Sequence, residues 1–197
     1  MNALIRVNLL DRPWIPIIGA ALLLACAAWA SPEVLTGTIV NMTADTGERA
    51  TESFTIHIDR TTPDTEFSAM VGVSQRRGQT GLQEMLWELK PKGRIRIGTS
   101  LGYPLGVIRS SIEGGRRVIR ILTDRPLQYY EVVNAQRTRD YPYSYLEITL
   151  DEHGRGEGTF VPVAKVSFKP DGEFEVQNYT ALPFKLIKVR SEGEAQK

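Results

Sequence analysis

Two histidines are the first candidates for chemistry, because imidazole titrates near neutral pH and is the side chain most often used for catalytic proton transfer. His57 precedes Asp59 by two residues, so the pair would share one face of a strand and could act as acid and base. A hydrolase also needs a nucleophile, and the chain has no Gly-x-Ser-x-Gly motif. We therefore predict no catalytic residue, with a hydrolase-type enzyme using His57 and Asp59 as the alternative. His153 lies in a glycine-rich segment and is predicted to belong to a turn.

The remaining patterns do not indicate a metal or cofactor site. Two isolated histidines and one cysteine do not supply the ligands of a transition-metal site, and the sequence has no Asp-x-Asp-x-Asp-Gly calcium loop. Gly98, Gly102 and Gly106 recur at every fourth residue, which is not a dinucleotide-binding spacing. We interpret these glycines as bends and predict neither a metal nor a cofactor.

A cluster of tyrosines is the first candidate binding surface. Five of the seven tyrosines fall between positions 129 and 145, namely Tyr129, Tyr130, Tyr141, Tyr143 and Tyr145. Tyrosine combines a broad apolar ring with a polar hydroxyl, which suits binding surfaces and cavity mouths. The alternative is that these rings pack on a sheet face, where aromatic residues are favoured.

A pair of arginines is the second candidate binding site. Gly114-Gly115 is typical of a two-residue hairpin loop, and residues equidistant from such a loop face each other. Arg109 then lies opposite Arg120, which is unfavourable unless an anion or a carboxylate lies between them. We predict that Arg109 and Arg120 contribute to ligand binding, with neutralisation by acidic neighbours as the alternative.

These residues must be positioned by a mainly β (α+β) fold. Segments of alternating apolar and polar residues, separated by turn residues, predict about nine antiparallel strands in a barrel or a sandwich. The predicted strands are Val34–Met42, Ser53–Asp59, Arg94–Ile97, Val107–Ile112, Arg117–Thr123, Tyr143–Asp151, Thr159–Phe168, Glu173–Gln177 and Phe184–Val189.

A helical hairpin is predicted near residues 62–90, inserted between the second and third strands. Thr62-Pro63 is a typical helix start, and Gly78 is placed to end the first helix. In the second helix, Leu82, Met85, Leu86 and Leu89 recur at helical spacing. We expect this stripe to pack against the sheet, because soluble proteins rarely expose such an apolar patch.

The N-terminus has the features of a signal peptide over residues 1–30. Arg6 and Arg12 precede a short apolar run that ends in Ala28-Trp29-Ala30, and cleavage after Ala30 would leave Ser31 first. The alternatives are a lipoprotein, with lipid attached to Cys26 in the lipobox-like Leu23-Leu24-Ala25-Cys26, and an uncleaved anchor. We predict one β-rich domain over residues 31–190, a flexible tail over 191–197, and membrane contact only through the signal peptide or a lipid anchor.

Composition excludes two other classes of protein. Lys and Arg together number 24 against 23 Asp and Glu, so the chain lacks the excess positive charge of a dedicated nucleic-acid-binding protein. A single cysteine excludes a disulfide framework.

Four groups of short motifs, in one order over about residues 50–160, resemble a group of uncharacterised exported bacterial proteins with no established activity. The motifs are Phe54–Arg60, Gly93–Arg96 with Ser100–Tyr103, Gly114–Arg117 with Thr123–Pro126, and Asp140–Pro142. The resemblance implies a bacterial source and export, and it implies nothing about chemistry.

We therefore expect a periplasmic or extracellular envelope protein without enzymatic activity. Its expected partner is a small apolar or anionic ligand, or the surface of another envelope protein. A hydrolase and a structural lipoprotein anchored through Cys26 are the alternatives.

Overall fold

The computed structural model describes residues 32–40, 51–127, 141–169, 171–178 and 183–192. Over these residues the protein is mainly β, with antiparallel strands and one helical element, as predicted. The predicted signal peptide, with Ala30, Ser31 and Cys26, lies outside the described residues, as do Tyr129 and Tyr130.

The secondary-structure elements follow the predicted order along the chain. The helix α1 spans Asp64–Glu88. The strands are β1 (Glu33–Val40), β2 (Thr51–Ile58), β3 (Gly93–Ile97), β4 (Tyr103–Leu105), β5 (Val107–Glu113), β6 (Arg116–Leu122), β7 (Tyr143–Leu150), β8 (Arg155–Phe168), β9 (Phe174–Asn178) and β10 (Phe184–Ser191). Ser191, which we assigned to the tail, is the last residue of β10.

The strands form one antiparallel sheet in the order β4-β3-β2-β1-β10-β8-β7-β6-β5, with β9 paired to β8. The sheet is not closed, because its edge strands β4 and β5 do not pair with each other. The described residues form ten strands, one more than the nine predicted, and the additional strand is β4. As expected, Gly98, Gly102 and Gly106 lie between β segments: Gly98 and Gly102 have positive φ in the connection from β3 to β4, and Gly106 is a bend between β4 and β5.

The main core lies between the two halves of this sheet. Leu35, Ile56 and Ile95 from one half belong to the same buried cluster as Ile119 and Ile148 from the other half. Inward residues from opposite ends of the strand order can meet only if the sheet folds over on itself. The architecture is therefore sandwich-like.

The helix α1 covers part of the opposite face of the sheet. Leu82 and Leu86 are 0% and 3% exposed, and they share a second core with Val107, Tyr143 and Val166. Met85 and Leu89 pack against this core and are partly buried. The predicted apolar stripe thus packs on the sheet. Among the described residues, no helix combines the length and the apolar character needed to cross a membrane.

The predicted helical hairpin is one element with a kink at Gly78. Gly78 has φ 62° and ψ −153°, a conformation that is essentially restricted to glycine. The next residue, Gln79, uses its side-chain amide to pair with the backbone of Val166 in β8, and its Nε2 donates to the Val166 carbonyl at 2.7 Å. The break predicted from Gly78 is correct, but no loop separates the two helical halves.

Candidate functional site

His57 and Asp59 lie on the surface of the protein. His57 is exposed on β2, where its cross-strand partners are Val34 and Arg94, and Asp59 is exposed just beyond the end of the strand. His153 is exposed in the turn between β7 and β8. Among the described residues, no group of three or more His, Cys, Asp or Glu side chains is placed to hold a metal ion.

Two of the candidate tyrosines belong to the second core. Tyr143 is fully buried, and its hydroxyl donates to the carbonyl of Gln79 at 2.9 Å. Tyr145 is buried, and its hydroxyl donates to Glu147 Oε2 at 2.9 Å. Burial raises the pKa of both phenols. The geometry supports the packing alternative for these two residues, and Tyr141 is half-buried beside them in the sequence.

Arg109 and Arg120 are cross-strand partners, as predicted. Both loop glycines have positive φ, which fixes the register of the hairpin. Arg109 Nη1 lies 2.7 Å from Asp64 Oδ1 and donates to the carbonyl of Thr62 at 2.9 Å. Its guanidinium also lies 4.7 Å from the centre of the Phe67 ring.

The partner arginine is held by two carboxylates. Arg120 donates to both oxygens of Glu113 and, through Nε at 2.9 Å, to Glu147. The hydrogen bonds from Arg120 lower the pKa of Glu113 to about 2. Arg109 and Arg120 are thus neutralised from within the chain, which is the alternative that we weighed for this pair.

A groove on the outer face of β7, β8 and β10 brings charged side chains together. Its volume is about 700 Å³. The groove is lined by cationic, acidic and hydroxyl side chains together with strand backbone. The cations are Arg116, Arg155, Lys185 and Lys188, the carboxylates are Glu147, Asp151 and Glu157, and the hydroxyls are Thr149 and Thr159.

A β-bulge in β10 shapes one wall of this groove. The register of β10 shifts against β8 between Leu186 and Val189, and the register against β1 shifts at the same level. Lys188 within this bulge has φ 54°, and it is the one non-glycine residue with a positive φ in the part of the chain that the structure describes. Bulges redirect side chains, and residues held in such conformations are enriched at binding sites.

At the edge of the groove, two arginines face each other across neighbouring strands. Arg155 of β8 and Arg190 of β10 are cross-strand partners, and both are exposed. Neither side chain forms an ion pair with a described residue. Like charges directly opposite each other are destabilising. The argument that we applied to Arg109 and Arg120 therefore applies here, although the carboxylate of Asp151 lies close enough to Arg155 for their charges to interact.

The carboxylates of the groove differ in their partners. Glu147 accepts hydrogen bonds from Arg120 and Tyr145. Asp151 Oδ1 accepts backbone N–H bonds from His153 and Arg155, which lower its pKa. The lining therefore holds four cations and three carboxylates, and because Glu147 is also paired with Arg120, the balance of charge in the groove favours an anion.

The sequence analysis did not predict the groove as a binding site, although part of its basic character is visible in the sequence. Lys185, Lys188 and Arg190 fall in one strand segment that has no acidic residue. Their meeting with Arg155 depends on the pairing of β10 with β8, which brings together residues 35 positions apart. Nothing local in the sequence predicts that pairing.

A buried lysine was also missed, and its role is structural. Lys92 is 2% exposed, and its Nζ lies 2.7 Å from Glu66 Oε1. The carbonyl of Lys92 accepts N–H bonds from Asp59 and Arg60. These contacts join the first turn of α1 to β2 and β3.

In comparisons with protein-family models, curated proteins and solved structures, this chain has no match.

Proposed function

We propose that this protein is exported to the bacterial envelope and binds an anionic ligand there without converting it chemically. The observation that carries the proposal is the groove on β7, β8 and β10. Four cationic side chains line it, and none of them forms an ion pair with a described residue. Most residues that line the groove have charged or hydroxyl side chains, so of the two expected ligand classes it favours the anionic one over the apolar one.

The side chains of the groove suit carboxylate or phosphate groups. Arginine binds both groups with two parallel hydrogen bonds, and lysine contributes a mobile point charge. The hydroxyls of Thr149 and Thr159 can donate to further oxygen atoms of a ligand. The site therefore combines charge attraction with hydrogen bonding, and it requires no proton transfer or nucleophile.

Binding of small anions tests the proposed function. We expect the purified protein to bind tripolyphosphate or citrate in isothermal titration calorimetry, more weakly as salt is added, since salt screens exposed charges. Arg155→Ser combined with Lys188→Ser should weaken binding about tenfold, because two exposed ionic contacts of up to about 1 kcal/mol each are lost. Equal binding by this variant and the wild type would contradict the proposal.

Arg76→Ser combined with Arg77→Ser is the matched control. Both arginines are exposed on α1, outside the residues that line the groove. The control removes the same number of charges as the groove variant. Equal weakening by the two variants would show a general effect of net charge and would also contradict the proposal.

Export is tested by the N-terminus of the protein in the envelope fraction. We expect Ser31 as the first residue, because small residues at positions 28 and 30 follow a short apolar run. An acylated Cys26 at the N-terminus would identify the lipoprotein alternative. Met1 retained in a cytoplasmic protein would contradict export.

A further inference from the structure

The outer face of the sheet continues from the basic groove across three further strands, β1, β2 and β3. Successive cross-strand partners form a single row from β8 to β3, consisting of Arg155, Arg190, Thr36, Thr55 and Arg96. Leu35, Ile56 and Ile95, which precede or follow these residues in their strands, are fully buried. Because side chains alternate along a strand, the row itself faces outward.

The neighbouring rows on the same face also consist mainly of hydroxyl and basic side chains. Thr38 lies opposite Ser53, and Val40 lies between Lys185 and Thr51. On the other side of the first row, His57 lies opposite Arg94. The surface thus has short hydroxyl side chains in its middle and basic side chains at both ends.

Beyond β8, the described part of this face has no acidic residue at its outward positions. The outward positions of β10, β1, β2 and β3 hold no Asp or Glu among the described residues. Glu52 of β2 belongs to the inward series, and its carboxylate lies against Gly98 in the turn after β3. Arg96 and Arg190, which are both exposed, form no ion pair with a described residue.

We propose that the groove is one end of a longer binding surface for a polyanionic chain, a glycan or similar polymer whose repeating units carry carboxylate or phosphate groups. This inference rests on the proposed function and extends it from a small anion to a polymer. Adjacent strands are about 4.8 Å apart, so the four steps from β8 to β3 follow about 19 Å along the surface of the sheet. Only an extended ligand can contact Arg155 and Arg96 together.

The character of the surface favours a polar polymer over a lipid membrane. Proteins that bind membrane surfaces usually combine basic residues with exposed apolar side chains that enter the interface. The large apolar residues that are well exposed in the described chain are Trp87, Leu101 and Ile112, and none of them lies on β10, β1, β2 or β3. Hydroxyl side chains between two basic ends instead suit hydrogen bonding to a hydrophilic chain.

The test measures how affinity depends on ligand length. The probes are oligogalacturonates of increasing length, which carry carboxylates, and linear polyphosphates of matched length. We expect affinity for at least one series to rise until the oligomer spans about 19 Å and then to level off. Arg96→Ser should weaken binding of long oligomers about fivefold and leave dimers unaffected. Arg155→Ser should weaken binding of both, and Arg76→Ser should change neither.

The outcomes separate this inference from the proposed function. If Arg155→Ser weakens binding but Arg96→Ser has no effect on long oligomers, the groove binds anions and the polymer inference is wrong. If Arg155→Ser has no effect on any oligomer, both are wrong. If vesicles of phosphatidylglycerol and phosphatidylcholine bind more tightly than every oligomer, and Arg96→Ser weakens that binding, the surface recognises a membrane and the polymer inference is overturned. Circular dichroism of each variant confirms that the exposed substitutions leave the fold intact.

Discussion

At the residue scale, two pairs of opposed arginines show that the neighbouring residues decide whether a charged side chain is structural or available to a ligand. Arg109 and Arg120 face each other in a short hairpin, and nearby carboxylates satisfy both. Arg155 and Arg190 face each other in strands that are distant in sequence, and neither forms an ion pair with a described residue. The same geometric relation is structural in the first pair and a candidate binding determinant in the second.

Glu113 should make the stability of the protein depend on pH in the acidic range. Its pKa is about 2 in the folded protein against an ordinary value of 4.5, because Arg120 donates two hydrogen bonds to it. A carboxylate with a lowered pKa stabilises the fold above its ordinary pKa and loses this contribution as pH falls towards 2. Since Glu113 is well exposed, solvent screening limits the contribution to about 1 kcal/mol or less.

Urea denaturation of the wild type and Glu113→Gln at several pH values measures this contribution. We expect the wild type to be more stable at pH 6 and the difference to shrink as pH falls below about 4.5. Glu84→Gln, which removes an exposed carboxylate paired with Arg77 on α1, is the control for loss of a surface charge. A difference that stays constant down to the lowest accessible pH would contradict the assignment.

At the element scale, the kink in α1 links a local sequence signal to a contact between distant parts of the chain. Gly78 allows the chain to leave the helical path for one residue. Gln79 then pairs with the backbone of Val166, and the carbonyl of Gln79 accepts the Tyr143 hydroxyl. The kink therefore lets α1 satisfy backbone groups of β8 and a buried phenol of β7.

Alanine at two glycines of α1 should change stability in opposite directions. Gly78→Ala should lower the free energy of unfolding by about 1–3 kcal/mol, because its φ and ψ are almost inaccessible to other residues. A Cβ there would touch nothing within 4 Å, so the cost is one of backbone conformation alone. Gly72→Ala should raise stability by about 0.5–1 kcal/mol, because Gly72 has regular helical geometry.

Chemical denaturation of the two variants checks this contrast. A Cβ at Gly72 would lie 3.1 Å from Arg76 Nη1, the end of a flexible side chain that can move away. If Gly78→Ala were as stable as the wild type, the kink would not be required by the fold. If Gly72→Ala destabilised the protein, crowding against Arg76 would outweigh the gain in helix propensity.

At the scale of the whole molecule, one ion pair joins strands that are not neighbours in the sheet. Glu33 of β1 accepts two hydrogen bonds from Arg117 of β6, at 2.8 and 2.7 Å. Ser191 at the end of β10 donates to the same carboxylate at 2.6 Å. Since β10, β8 and β7 lie between β1 and β6 in the strand order, this pair connects the two layers across the end of the main core.

A double-mutant cycle should show strong coupling between Glu33 and Arg117. Each single change to alanine should cost about 1–3 kcal/mol, because it leaves a partly buried charged group without its partner. The coupling energy should be about 1–3 kcal/mol, which is the range for residues that share a hydrogen-bonded network. The measurement is the free energy of unfolding of the wild type, both single variants and the double variant.

The exposed pair Arg77 and Glu84 provides the matched control cycle. Both side chains are about half exposed on α1, and such pairs usually couple by less than about 1 kcal/mol. Equal coupling in the two cycles would mean that the pair between Glu33 and Arg117 does not hold the layers together.

The sequence by itself determined the features that depend on neighbouring residues. Alternating apolar residues predicted nine strands because a strand that buries one face must repeat every two residues. The Gly114-Gly115 loop predicted the register of Arg109 against Arg120, because a two-residue loop leaves no freedom in the pairing. Gly78 and the leucine-rich stripe predicted the break in α1 and its buried face for similarly local reasons.

Tertiary structure alone decided which strands became neighbours, and with them the candidate site. The last strand, β10, lies between β1 and β8, and this placement brings Arg190 next to Arg155 and Thr36. The bulge at Lys188, the buried Lys92 and the bond between Glu33 and Arg117 have the same origin. Such contacts depend on the packing of the whole core. The free energy of pairing two distant strands includes the burial of all the side chains that the pairing covers, and these come from many parts of the chain.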